Sequence, residues 1–115
     1  MENKEEVKKE GKEKNEKEDY LLYKLETPVE FEGSTITEID LRSLRGMNFD
    51  KLCNLLDTYA AMGGTESIYA DMPMRFAKIV AGEAAGLPVE AIGKLGIRDA
   101  MRVRMRIYRF FYLSE

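Results

Sequence analysis

The side chains able to do chemistry in this 115-residue chain are few, and their pattern excludes most catalysis. Histidine is absent, so the common general base, imidazole metal ligation and a Ser-His-Asp arrangement are all unavailable. The one cysteine, Cys53, makes no internal disulfide or thiolate cluster. It falls on the apolar stripe of a predicted helix, where a thiol serves as buried filler rather than nucleophile. Glu30 with Glu32, and Glu38 with Asp40, sit at two-residue spacing on predicted strands. Alternation sends each pair to one outward, solvated face instead of into a pocket. A metal-assisted activity would have to draw carboxylates from separate segments. No single segment offers a catalytic group, a metal site or a cofactor site, and only carboxylates gathered from separate segments leave such chemistry open.

What the sequence does concentrate is arginine and apolar surface on its last predicted helix, 98–113. On a 3.6-residue wheel Arg98, Arg102, Arg106 and Arg109 fall within a stripe roughly 80° wide. Ala100, Met101, Val103, Met105, Ile107, Tyr108, Phe110, Phe111 and Tyr112 fill an arc of roughly 220°, about twice the stripe of a helix lying on one core. Two arrangements account for this excess. The helix is central, with only the arginine edge wet, or half the arc packs inward and half meets another chain. The small domain favours the second. Arg104 lies inside the apolar arc, so it either finds an acid or borders an interface, because an unpaired buried guanidinium is very costly.

Residues 1–19 carry six lysines and eight acids and almost no large apolar side chain. Burial there cannot offset the roughly 1–2 kcal/mol per residue that ordering a backbone costs. They are expected to form a disordered charged leader. Removing them from the totals of 18 basic and 21 acidic residues leaves 12 and 13 for residues 20–115, one near-neutral domain. A general nucleic-acid binder needs a basic footprint, so DNA or RNA is not the expected partner. The apolar runs are too short for a membrane span or a signal peptide, which makes cytoplasm the expected location.

The domain is expected to be α+β: a short antiparallel hairpin or meander over about 20–42, packed with three to four helices. Leu21, Tyr23 and Leu25, then Val29 and Phe31, then Ile39 and Leu41 beside Thr37, form the inward set. Thr27-Pro28 interrupts the ladder, because proline has no N–H to give, and Glu32-Gly33-Ser34 supplies the turn. Ile36 is out of phase, which signals a bulge or a different strand register. Helices are expected at about 48–62, 71–85, 88–95 and 98–113. Asn48 caps the first, with Met47 and Leu52 as a hydrophobic staple. Phe49, Leu52, Cys53, Leu56, Tyr59 and Ala60 form its buried stripe, and Gly63-Gly64 ends it. Asp71 or Met72 caps the second, with Pro73 in its first turn. Phe76, Ile79, Val80 and Ala84 mark its buried side, and Gly86 its end.

The order of these features resembles the phage tail assembly chaperone family of long-tailed bacteriophages and prophages. The segment Tyr23-Lys24-Leu25-Glu26-Thr27-Pro28-Val29-Glu30-Phe31-Glu32-Gly33 is followed by Ile36-Thr37-Glu38-Ile39-Asp40-Leu41-Arg42. Later come Ala84-Ala85-Gly86-Leu87-Pro88-Val89-Glu90-Ala91-Ile92, then Leu95, Asp99 and Phe110-Phe111. Order and spacing carry the likeness, since no single piece is specific. Ser43-Leu44-Arg45-Gly46-Met47 departs from it, where relatives often have a proline-containing turn, and residues 1–19 lie outside it.

The resemblance implies a non-enzymatic chaperone acting in the host cytoplasm and absent from the finished virion. Its partners would be the tape-measure protein, held soluble, and the tail-tube protein that polymerises around it. A frameshift-extended form of the chain and a homo-oligomer are further implied or allowed partners. Leu87, Pro88, Ile92, Leu95, Met101, Arg104, Met105, Tyr108, Phe111 and Tyr112 are the candidate client or self-association face. The alternatives are a small DNA-binding regulator using the arginine-striped helix, and a structural tail subunit.

Overall fold

The computed structural model describes residues 19–69 and 71–113. Apart from Asp19, the expected leader lies outside the described residues. Two strands and four α-helices follow in order: β1 (Leu22–Phe31), β2 (Ser34–Asp40), α1 (Phe49–Ala61), α2 (Met74–Ala85), α3 (Val89–Ile92) and α4 (Ile97–Tyr112). The α+β expectation is borne out as a two-stranded hairpin rather than a meander. Where a third strand had room, Arg42–Gly46 forms a 3-10 turn. Ser43 Oγ donates to the Ala84 carbonyl at 2.8 Å, tying this turn to the last turn of α2.

The hairpin turn is Glu32-Gly33, with φ of 49° and 83°. Positive φ at both central residues gives a two-residue loop the twist of its strands, and glycine takes the second position without strain. Leu22, Tyr23 and Lys24 pair with Asp40, Ile39 and Glu38; Val29, Glu30 and Phe31 pair with Ile36, Thr35 and Ser34. Residues 25–28 bulge out opposite Thr37, as Thr27-Pro28 foretells. The phase error at Ile36 thus has its cause on the other strand. Ile36 packs against the core and Thr37 faces solvent, correcting its inward assignment.

A bulge leaves N–H groups without a ladder partner. Here the carboxylate of Asp99, from the first turn of α4, accepts them. Its Oδ1 takes Glu26 N–H at 2.9 Å and Oδ2 takes Thr27 N–H at 3.1 Å. The Tyr23 hydroxyl donates to Oδ1 at 2.6 Å. Asp99 is 2% exposed and is the one buried charged residue among those described. Burial pushes its pKa up, but the bonds from Tyr23, Glu26 and Thr27 together hold it below the ordinary 3.8.

Above the hairpin, α2 is central. Phe76, Val80 and Ala81 are fully buried, with Ala77, Ile79 and Ala84 beside them. Phe76 takes the Tyr59 ring edge-on at 5.3 Å and the Phe111 ring at 6.1 Å, joining α1, α2 and α4. Asn48 caps α1 by accepting from Lys51 N–H. The expected stripe of α1 is rotated, however: Leu55 and Tyr59 are buried, whereas Cys53 and Ala60 are exposed and Phe49 is 80% exposed. Leu52, Leu55, Leu56 and Tyr59 satisfy the same helical spacing with bulkier groups, so that face wins the core and Cys53 is not buried filler. The second helix begins later than expected. Pro73 is extended and its carbonyl receives the first helical bond, from Ala77 N–H, which leaves Asp71 and Met72 outside the helix. Asp19, assigned to the leader, is bonded to the fold through Arg45 at 3.0 and 3.1 Å.

A Cβ on Gly64 would lie 2.2 Å from the Tyr59 ring. That ring is pinned, because its hydroxyl both donates to the Glu66 carbonyl and accepts Glu66 N–H. Gly64→Ala should therefore cost about 1–3 kcal/mol as overpacking in chemical denaturation. Asp99→Asn keeps the size but sets an NH₂ against a backbone N–H, and should cost about 1–3 kcal/mol with an unchanged m-value. The Asp99 pKa is depressed on folding, so its contribution is present above 3.8 and is lost as pH falls through the lower folded value. Asp19 beside Arg45 and Asp40, held at about 2 by Arg42, act with the same sign. The loss of stability on acidification below pH 3.8 should therefore be shallower in D99N, not absent.

Candidate functional site

Asp99 sets the rotation of α4. With its carboxylate turned into the bulge, Val103 and Ile107, one and two turns later, face the core at 3% and 0% exposure. The opposite side of the helix is then committed to solvent. It is apolar too: Ile97, Met101 and Met105 are 83%, 47% and 50% exposed. Tyr108 and Tyr112 continue the same side, half-buried, with ring centroids 5.1 Å apart. The large apolar arc is thus divided between the domain's own core and an outer stripe.

The arginine edge does not simply face water. The Arg106 guanidinium lies 4.5 Å over the Tyr23 ring, and that of Arg109 lies 3.9 Å over the Tyr20 ring. Arg98 and Arg102 reach the two oxygens of Glu26 at 3.7 and 3.5 Å. Burial depresses the Arg106 pKa, with the Arg102 and Arg109 charges adding to the effect and Tyr23 opposing it. Burial and the bond to Asp99 raise that of Tyr23. The edge fastens α4 to β1 and the residue Tyr20 ahead of it through two cation–π contacts and two ion pairs.

Arg104 finds an acid and a carbonyl. Its Nε donates to the Met72 carbonyl at 2.7 Å and its Nη2 to Asp71 Oδ1 at 2.5 Å. The Tyr108 ring lies beneath the guanidinium at 5.9 Å, and Tyr112 OH donates to the Asp71 carbonyl at 3.2 Å. Arg104 therefore closes one border of the outer stripe against the segment entering α2. Met72 and Asp71 are available to it because the helix starts only after Pro73.

The other candidate residues divide among three places. Ile92 and Leu95 line a cleft of about 320 Å³ between α2, α3 and α4, with Ala77, Val103, Met74 and Arg104. Leu87 is half-buried against the core and Pro88 is an exposed N-cap of α3; neither lines that cleft. Phe111 packs on Phe76 and lines a second apolar cleft, of about 410 Å³, with Phe110, Met47, Phe49 and Leu52. Met101, Met105, Tyr108 and Tyr112 form the outer stripe. Sequence reasoning missed Met74, 43% exposed at the cleft, and Phe49, whose place in the first turn of α1 put it in a predicted core stripe. Among the described residues no three acid or cysteine side chains converge as a metal site would. No described helix is long and apolar enough to cross a membrane.

A hairpin locked to a C-terminal helix that keeps an apolar outer stripe defines a small protein of the α+β class. The family model described as "Phage tail assembly chaperone proteins, E, or 41 or 14" matches residues 22–112. The chain belongs to the phage tail assembly chaperone family. Neither the curated proteins nor the solved structures contain a match.

The Arg104 clamp gives a stability prediction. Arg104→Met keeps the stem but strips the Met72 carbonyl and Asp71 of their donor, and should cost about 1.5–3 kcal/mol in thermal denaturation. Asp71→Asn should cost less, because Asp71 is 70% exposed and water replaces its partner.

Proposed function

We propose that this protein is a non-enzymatic assembly chaperone that seats a helical segment of the tape-measure protein on the outer stripe of α4. The cleft beside Ile92, Leu95 and Met74 extends that surface. The protein keeps the segment soluble in the host cytoplasm until tail-tube subunits polymerise around it, and leaves before the virion is complete. The observation that carries this reading is the stripe itself. Ile97, Met101 and Met105 lie in line on a rigid helix, turned outward by the buried anchor at Asp99. Such a row is what an amphipathic client helix requires, and methionine adapts to varied client side chains.

Co-expression with the tape-measure protein tests it. The wild-type chain should raise the soluble fraction of that protein several-fold, and Met101→Asp with Met105→Asp should abolish the gain while leaving the chaperone folded by circular dichroism. Equal client solubility with and without this chain would sink the proposal. Mass spectrometry of purified particles separates helper from structural subunit: a chaperone is absent from finished tails.

A further inference from the structure

We infer that the helix held on the α4 stripe has an apolar seam bordered by Asp and Glu on the side that meets Arg98, Arg102 and Arg109. This rests on the reading above that the stripe holds a helix, and adds to it the chemistry of that helix.

The two borders of the stripe differ. On one, Arg104 is 18% exposed and already engaged by Asp71 and the Met72 carbonyl. On the other stand Arg98, Arg109 and Arg102, within roughly 60° of one another on the wheel. Arg98 is 75% and Arg102 48% exposed, and both share the one carboxylate of Glu26 at distances beyond a good hydrogen bond. Arg109 rests on the Tyr20 ring. Among the described residues that border sets three guanidinium groups beside the one carboxylate of Glu26, with Arg102 also bonded to the Tyr23 hydroxyl, in a chain whose net charge is −3. The helix's own acid, Asp99, is buried and occupied. A docked helix meets both its seam and its flanks, as paired helices do, and carboxylates there match the planar donor fork of arginine.

The same charges argue against a second copy of this chain as occupant. Antiparallel pairing of two α4 stripes would set the arginine border against itself. Parallel pairing would set it against the opposite border, where Arg104 has taken Asp71. Like charges across a seam cost specificity and stability.

Synthetic helical peptides test this against the full-length protein. Three peptides share one leucine seam of about three heptads and carry Glu, Gln or Lys at every flanking position. Fluorescence anisotropy at about 0.05 M and about 0.5 M sodium chloride reads their affinities. The Glu peptide should bind about tenfold tighter than the Lys peptide at low salt, the Gln peptide falling between, with the gap shrinking at high salt. Arg98→Gln and Arg109→Gln together should reduce the Glu-to-Lys ratio; Arg98→Gln alone, which touches no ring, guards against an effect of losing the Tyr20 stack. Equal binding of all three peptides, with binding lost in the Met101→Asp variant, would overturn the charge inference and leave the helix-holding site standing. No binding of any peptide would overturn both. A dimer in sedimentation velocity that Met101→Asp dissolves would overturn the inference in favour of self-association.

Discussion

The fold turns on one buried carboxylate. Removing an ion from water is expensive, and a side chain at 2% exposure bears that cost only where donors surround it. Asp99 has three, and two are consecutive backbone N–H groups that the bulge turns toward one carboxylate. The interruption at Thr27-Pro28 and the aspartate 72 residues later are thus complementary. The bulge supplies donors with no partner, and the first turn of α4 supplies an acceptor with no water. Neither feature makes sense energetically without the other. Between them they join the first and last elements of the domain.

A helix fastened at one point near its start is fixed in rotation as well as position. Because Asp99 points into the bulge, Val103 and Ile107 must follow it inward, and the residues half a turn away must face out. Ile97, Met101 and Met105 are exposed as a geometric consequence of the anchor. Rotating α4 to bury them would draw Asp99 out of its donors and set the Arg106 and Arg109 guanidinium groups away from Tyr23 and Tyr20. The stripe is therefore an apolar surface that the domain cannot relieve by local repacking. Patches of that kind on small proteins mark interaction sites.

Much of this was legible in the residues. The hairpin turn at Gly33, the cap at Asn48 and the buried side of α2 are each set by local chemistry, and local chemistry is visible in a sequence. The over-wide apolar arc of the last helix was visible for the same reason. What escaped depended on partners distant in the chain. On α1, two stripes one residue apart satisfy the same period, and only the shape of the facing core selects Leu55 over Cys53. The arginine edge reads as a solvated face on a wheel, which carries no information about tyrosines more than seventy residues earlier. Arg104 posed a clear question, pair or interface, but Asp71 could be its partner only if the helix began after Pro73. The expected start at residue 71 lies three residues ahead of Met74, because proline is tolerated inside a first turn as well as before one.

Under the proposed role, the modest size of the stripe is an asset. Fully burying a side chain such as isoleucine or methionine contributes about 1.5–3 kcal/mol, and the outer stripe offers three that are 47–83% exposed and two tyrosines that are already half covered. Association sets against this roughly 4–15 kcal/mol of lost translational and rotational freedom. A single such contact is weak and quickly reversed, whereas a client of many helical turns can engage many copies along its length. That combination keeps a long apolar protein covered while each cover remains easy to displace. Polymerising tube subunits need only compete with one weak contact at a time, and the rigid anchor at Asp99 ensures that every copy presents the same face when released.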